Sequence, residues 1–143
     1  SSRSEYASLV AAAEARVSQA SRQVSEAQAS LAAKKSSLNA AERELDMIRP
    51  LAEKLIVPKI DLVRAENAAS VARSEVDAAN SALSRAQSGV AEARASLAQQ
   101  RSDWKSRAAN EQTQVQADLA AQKRTPPALQ DRVRRTVIRA PMS

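Results

Sequence analysis

The ionisable side chains are the first candidates for chemistry in this 143-residue chain, and their types exclude most kinds of catalysis. The chain has no histidine and no cysteine, so it lacks an imidazole base, a thiol nucleophile and the usual zinc ligands. With Gly89 as its single glycine, it cannot form a glycine-rich phosphate loop. Carboxylates such as Glu42, Glu44 and Asp46 lie among basic residues, as on a solvated helix surface. We therefore expect no enzyme activity, no cofactor and no metal site.

Contact with a partner is the other chemistry that these residue types could support. An apolar segment near the middle of the chain contains Leu55, Ile56, Val57, Pro58 and Ile60. We expect Leu55 to close the last layer of a helix pair together with Leu62, whereas Ile56 and Val57 have no place in that pairing. An exposed apolar cluster on an otherwise polar surface indicates a contact site. The alternative is a turn that is held together by its own hydrophobic side chains.

Two runs of heptad repeats flank this segment and predict the elements that position it. In the first run, one apolar heptad position is occupied by Val10, Val17, Val24, Leu31, Leu38 and Leu45. The other, three residues later, is occupied by Ala13, Ala20, Ala27, Lys34, Ala41, Ile48 and Leu55. In the second run, one position is occupied by Leu62, Ala69, Val76, Leu83, Val90, Leu97 and Trp104, and the other, three residues later, by Ala65, Ala72, Ala79, Ala86 and Ala93. A seven-residue apolar repeat is the pattern of a coiled coil. The predicted fold class is therefore all-α, a long antiparallel coiled-coil helical hairpin.

The two runs also predict a register for the pairing. Folding about residues 56–61 sets Leu38 level with Ala79 and Leu31 level with Ala86, so that a large side chain meets an alanine in each layer. A slip by one whole heptad keeps most of these matches, so the short turn has to decide between registers. Lys34 falls at a seam position, where we expect it to extend to solvent or, alternatively, to help set the register.

Prolines and short-range signals predict the element boundaries. The hairpin is predicted over residues 1–124, with helices over about 4–54 and 59–124 and a tip over 55–61. Pro50 is expected to kink or stop the first helix. Pro58 suits the first position of the second helix, and Asp61 lies in its first turn, where its charge complements the helix dipole.

The end of the chain is predicted to leave the hairpin. Pro126 and Pro127 end the second helix and cap a short third helix over 125–135, and residues 136–143 read as a β-strand. Because the sequence offers no partner for this strand, we expect its partner to lie in a longer parent protein. In the predicted register the second helix extends beyond the start of the first, so the first helix is expected to begin earlier in that parent.

Two stretches resemble a known family. Residues 51–66, LAEKLIVPKIDLVRAE, are similar to the hairpin turn of HlyD-like membrane fusion proteins, the periplasmic adaptors of bacterial type I secretion and efflux systems. Residues 131–143, DRVRRTVIRAPMS, resemble the return of that hairpin into a lipoyl-like β-domain. With the heptads between them, the resemblance covers essentially the whole chain. It implies that the strand at 136–143 is the stub of a truncated lipoyl-like domain.

The resemblance implies a role in transport. Such a protein is an adaptor that bridges an inner-membrane ABC transporter and a TolC-like outer-membrane channel for type I protein secretion, with the hairpin tip docking the channel. The hairpins of the full-length protein would assemble side by side, as a hexamer. The chain would then be the periplasmic part of a bacterial inner-membrane-anchored protein and would not itself span the membrane, since no run approaches the roughly 18 apolar residues of a span.

The family also implies particular tip residues. Many members carry an arginine, a leucine and a serine at set spacing around the turn. The serine place falls on Pro58, the leucine place on Leu51, and the arginine place on Met47, with Arg49 two positions away. Together with the apolar segment, the predicted partner-binding residues are Arg49, Leu51, Leu55, Ile56, Val57, Pro58 and Lys59.

Other functions remain open at this point. The adaptor could serve a multidrug efflux pump, or the chain could be a purely structural coiled-coil scaffold, which would tolerate charges at Ile56 and Val57. A nucleic-acid partner is not expected, because the chain has one tryptophan, one tyrosine and no phenylalanine for stacking. The net charge is +6, and about half of this excess comes from residues 125–143 rather than from a basic stripe along the rods.

Overall fold

Two helices make up the described chain. A computed structural model describes the backbone of residues 2–139 and the side chains of residues 2–124. Helix α1 spans Ser2–Glu53 and helix α2 spans Lys59–Arg139, with a short turn at residues 54–58. The chain divides into two compact units, the first ending at Ala98 and the second beginning at Gln99. The all-helical hairpin predicted from the heptads is confirmed.

The predicted seam is the buried face of the first unit. Every seam residue from Val10 to Ile48 on α1 is buried or half-buried, and so is every one from Leu62 to Leu97 on α2. Ala69 has no exposed surface at all. Alanine at a seam position lets two helix axes approach closely, which compensates for the small area that each alanine buries.

Two clusters show how the helices pair. The cluster nearer to the turn contains Leu45, Ala65 and Ala69, with Ala41, Ile48 and Leu62 packed against it. The cluster farther from the turn contains Leu31, Val76 and Ala79, with Leu38 and Leu83 packed against it. Moving away from the turn along α1 therefore means moving away from it along α2 as well, which is the antiparallel arrangement.

The register differs from the predicted one in its detail. Leu38 lies in the same cluster as Ala79, as expected, but Leu31 also joins Val76 and Ala79, whereas the prediction set it level with Ala86. The α2 partners of Leu31 thus lie closer to the turn than predicted. The heptad pattern fits several registers almost equally well, and the length of the turn selects one of them.

Ion pairs such as Lys34–Glu75 and Arg73–Glu42 cross between the helices beside the seam. The Nζ atom of Lys34 lies 3.2 Å from Oε2 of Glu75, and Nε of Arg73 lies 3.5 Å from Oε1 of Glu42. Lys34 thus extends out of its seam position toward the surface, with 42% of its side chain exposed. An exposed pair of this kind contributes little stability, but it favours the register that brings the two charges together.

We expect the Lys34–Glu75 pair to contribute less than about 1 kcal/mol to the free energy of unfolding, because both side chains remain largely hydrated. The measurement is a double-mutant cycle of Lys34→Ala and Glu75→Ala by urea unfolding. The coupling energy should fall toward zero at about 1 M salt, where the screening length is about 3 Å. A coupling above about 2 kcal/mol that persists in high salt would contradict this picture.

The end of the seam at the turn corrects one expectation. Leu55 was expected to close the last layer with Leu62, but 74% of it is exposed. Ala52 takes the place instead and is only 2% exposed. The reason is that α1 ends at Glu53, so Leu55 lies in the turn and no longer follows the helical phase.

Pro50 does not stop the first helix early. Helix α1 continues three residues further, to Glu53. A proline removes its own N–H donor and crowds the carbonyl four residues earlier, but the Pro50 carbonyl still accepts a hydrogen bond from the N–H of Lys54, with an N···O distance of 3.1 Å.

The predicted third helix over 125–135 and strand stub over 136–143 are unconfirmed. Helix α2 continues as one helix to Arg139, and no strand occurs between residues 2 and 139. The physical reason is that a strand needs a neighbouring strand to satisfy its backbone groups, whereas a helix satisfies them within itself. The remainder of the predicted strand, residues 140–143, lies outside the described residues.

Candidate partner-binding tip

The turn closes α1 with a Schellman motif. The N–H of Ile56 donates to the Leu51 carbonyl at 2.8 Å, and the N–H of Leu55 donates to the Ala52 carbonyl at 3.1 Å. These are the two hydrogen bonds that define the motif. The last carbonyls of α1 and the first amides of the turn therefore satisfy one another.

Leu55 occupies the position of this motif that requires a left-handed backbone. Its φ is 60°, and it is the one non-glycine residue with a positive φ in the described chain. Glycine is the usual residue there, since an L-residue loses about 1–2 kcal/mol in this conformation. A bulky leucine is uncommon at such an angle. Leu55 therefore makes this turn less stable than glycine at the same position would.

The start of α2 lacks a side-chain cap. Pro58 was predicted at the first position of α2, but it directly precedes Lys59, the first residue of that helix. Its carbonyl accepts a hydrogen bond from the N–H of Asp61 at 3.0 Å. Pro58 has no side-chain oxygen to bind the other free amides. The negative charge of Asp61 in the first turn compensates in part, as predicted from the helix dipole.

Exposed apolar side chains are concentrated around this turn. Of the eleven large hydrophobic residues that are exposed among the described side chains, six lie between positions 47 and 63. We call these six residues the tip patch: Met47, Leu51, Leu55, Ile56, Ile60 and Val63. Patches of this kind mark interaction sites on soluble surfaces. The arrangement can therefore bind an apolar surface.

The predicted binding residues lie near the end of α1, in the turn and at the first residue of α2. All are exposed except Val57, which is half-buried. Val57 and Ile48 line a groove of about 450 Å³ beside the turn, with charged side chains of Glu44, Asp61 and Arg64 also lining it. Val57 therefore contributes to the groove, whereas Ile56 projects into solvent with 66% of its surface exposed.

Met47 and Val63 belong to the tip patch but were not predicted to bind a partner, and Ile60 was predicted only as part of the apolar segment. Met47 is 71% exposed, although the sequence had marked it only as the place where the family carries an arginine. All three are large apolar residues at heptad positions outside the seam. That combination was visible in the sequence and could have identified them.

The described part of the chain also bears on metals and membranes. Among the described side chains, no group of acidic residues is arranged to hold a metal ion. None of the helices, as far as they are described, contains a stretch long and apolar enough to cross a membrane.

The comparison with known families decides what kind of hairpin this is. A family model described as "AprE, long alpha-helical hairpin" matches residues 1–132. The chain belongs to this family. AprE-type hairpins are parts of secretion adaptors, so this chain is the hairpin of a membrane fusion protein. The resemblance found in the sequence had implied this class of protein. No curated protein and no solved structure matches the chain.

Proposed function

We propose that this AprE-type hairpin is the docking arm of an HlyD-like periplasmic adaptor in a bacterial type I secretion system. The parent protein is anchored in the inner membrane and bridges an inner-membrane ABC transporter and a TolC-like outer-membrane channel, and the hairpin tip docks the channel. The observation that carries the proposal is the concentration of exposed apolar side chains in the tip patch, at the closed end of a long helical pair.

The dimensions of the hairpin support the role of an arm. Helix α1 has 52 residues, which corresponds to about 78 Å of helix. Its seam buries small side chains in thin layers and leaves no room for a globular core. Such a rod holds a contact site at a distance from its base, and a long hairpin favours type I secretion over the alternative of multidrug efflux.

The outer face of α2 supports assembly of several copies. Val71 is exposed and lies beyond the tip patch, and at 100° per residue it is on the side of α2 opposite the seam. We propose that this face contacts α1 of a neighbouring copy in the full-length protein. A head-to-tail contact of this type closes into a ring when the rotation allows it, and the adaptor family suggests six copies.

The proposal assigns no catalytic step to the hairpin. Catalytic groups are usually buried enough for their protonation to be tuned by the surroundings. Among the described side chains, no polar or charged residue is buried. Transport energy would come from the transporter, and the hairpin would provide spacing and contact.

The test uses the absence of cysteines from these 143 residues, and any cysteine elsewhere in the parent is first replaced by serine. A single cysteine is introduced in the full-length parent at Glu53, the last residue of α1, and labelled in cells with a photocrosslinker. The matched control is Ser84→Cys, also exposed but about a third of the way along α2 from the turn. We expect the Glu53 position to crosslink to an outer-membrane channel and the Ser84 position not to. If neither position captures a channel in a folded, expressed adaptor, the structural scaffold becomes the better explanation.

A further inference from the structure

We infer that a row of charges along one edge of the hairpin acts with the turn to fix the register of the two helices, because a slip by one heptad in either direction places like charges opposite each other. We call this row the charged edge: Lys35, Glu42 and Arg49 on α1, and Glu66, Arg73 and Asn80 on α2. The inference concerns the hairpin itself and is independent of what its tip binds.

One ion pair shows which residues of the charged edge lie opposite each other. Nε of Arg73 lies 3.5 Å from Oε1 of Glu42, and each of the two directly follows a seam residue. Because the helices are antiparallel, one heptad nearer to the turn on both helices leads from this pair to Arg49 and Glu66. These two residues also have opposite charges. The observed register therefore sets two opposite-charge pairs along this edge.

A slip that moves the turn toward Pro50 makes both contacts repulsive. Glu66 then takes the place of Arg73 opposite Glu42. In the same slip, Arg73 lies opposite Lys35. A whole-heptad slip moves the centre of the turn by half a heptad along the chain, so α1 would end near Pro50, where a proline favours a helix end. The charged edge thus opposes the slip that this proline would otherwise favour.

The slip in the other direction is also penalised. Arg73 then lies opposite Arg49, and Glu42 lies opposite the uncharged Asn80. This slip exchanges an attraction for a repulsion. It would also unwind the first turn of α2, which begins at Lys59.

The neighbouring pair Lys34–Glu75 lacks this property. Its Nζ and Oε2 atoms are 3.2 Å apart in the observed register. After a slip in either direction, each residue of the pair lies opposite an alanine, namely Ala68 or Ala82 for Lys34, and Ala27 or Ala41 for Glu75. A slip therefore loses this attraction without adding a repulsion, whereas on the charged edge it also adds repulsion.

The charged edge acts on the difference between registers rather than on the total stability. The side chains of Arg73 and Glu42 are 56% and 44% exposed, so their pair contributes little to the free energy of unfolding. Like charges on neighbouring helical positions destabilise by about as much as opposite charges stabilise. Two attractions become two repulsions in the slip toward Pro50, and these small changes add in the same direction. Charges beside a coiled-coil seam select among pairings in this way.

An exchange of two charges on α2 tests the inference. Glu66→Arg together with Arg73→Glu keeps the composition and the net charge of the chain. It makes both contacts of the observed register repulsive and both contacts of the slip toward Pro50 attractive. We expect the ratio of the slipped to the observed register to rise by about a hundredfold.

The register is measured as the distance between two spin labels in the 143-residue chain. The labels are attached through Ser36→Cys and Ser88→Cys, both at exposed positions. A slip by one heptad shifts the helices by about 10 Å along their axes. The slip toward Pro50 lengthens the label distance, because Ser88 lies farther from the turn than the α2 residues level with Ser36. We expect one distance without the exchange and the longer distance with it, and about 1 M salt should reduce the longer population.

The matched control exchanges the charges of the other pair, Lys34→Glu together with Glu75→Lys. This variant keeps its cross-helix attraction and gains no charge partner in a slipped register, so its label distance should remain that of the wild type. If the exchange of Glu66 and Arg73 leaves the distance unchanged at low salt, the charged edge does not select the register and the inference is wrong. A longer distance in the control would also overturn it, since any altered ion pair would then release the register.

Discussion

Replacement of Leu45 by alanine should lower the free energy of unfolding by about 3 kcal/mol. Leu45 is 6% exposed and packs in the cluster with Ala65 and Ala69. The buried residues across the seam from it are alanines, and Leu62 is the one larger α2 side chain packed against the cluster, so little side-chain volume is available to fill the space that truncation leaves. Loss of a buried leucine therefore costs both its transfer free energy and the resulting cavity. The measurement is urea unfolding of the chain, followed by helical circular dichroism.

The matched control for Leu45 is Met47→Ala. Met47 lies two residues further along α1 and is 71% exposed, so its truncation should change the free energy of unfolding by less than about 0.5 kcal/mol. Similar losses for the two variants would mean that the seam does not carry the stability of the hairpin. Because so thin a core gives a small free energy of unfolding, a loss of 3 kcal/mol is a large fraction of the total.

The opposite change, Ala69→Leu, should also destabilise the hairpin, by about 1–3 kcal/mol. Ala69 has no exposed surface and lies in the cluster with Leu45, where the helices approach over small side chains. A leucine there would force the axes apart or push Leu45 from its preferred rotamer. Alanine and leucine both favour helix, so the effect does not arise from helix propensity. The free energy of unfolding in urea reports it.

Ala78→Leu is the control for this overpacking. Ala78 is exposed on α2, so the same substitution should change stability by less than about 0.5 kcal/mol. Equal stability of the Ala69→Leu and Ala78→Leu proteins would show that the seam has room for a larger side chain. In that event, the large-against-small pairing would not be what holds the helices close.

Part of the candidate site could be predicted from the sequence. The apolar segment around Ile56 has no seam position, and Ile56 is indeed exposed. The exposure of Leu55 could not be predicted, because its spacing from Ile48 continues the heptad. Its left-handed backbone was equally hidden, since the signal for that conformation is a glycine and the sequence has a leucine.

The sequence by itself determined the two helices and the seam between them, from Val10 to Ile48 and from Leu62 to Leu97. A seven-residue apolar period leaves one stripe to bury, and burial of that stripe requires a partner helix. Only the tertiary structure decided the register and the residues that the tip exposes. A slip along the seam exchanges one set of leucine–alanine layers for another at almost equal burial, so the seam pattern cannot choose between registers. The hydrogen bonds of the five-residue turn set where α2 begins, and thereby select the register and turn Leu55 outward.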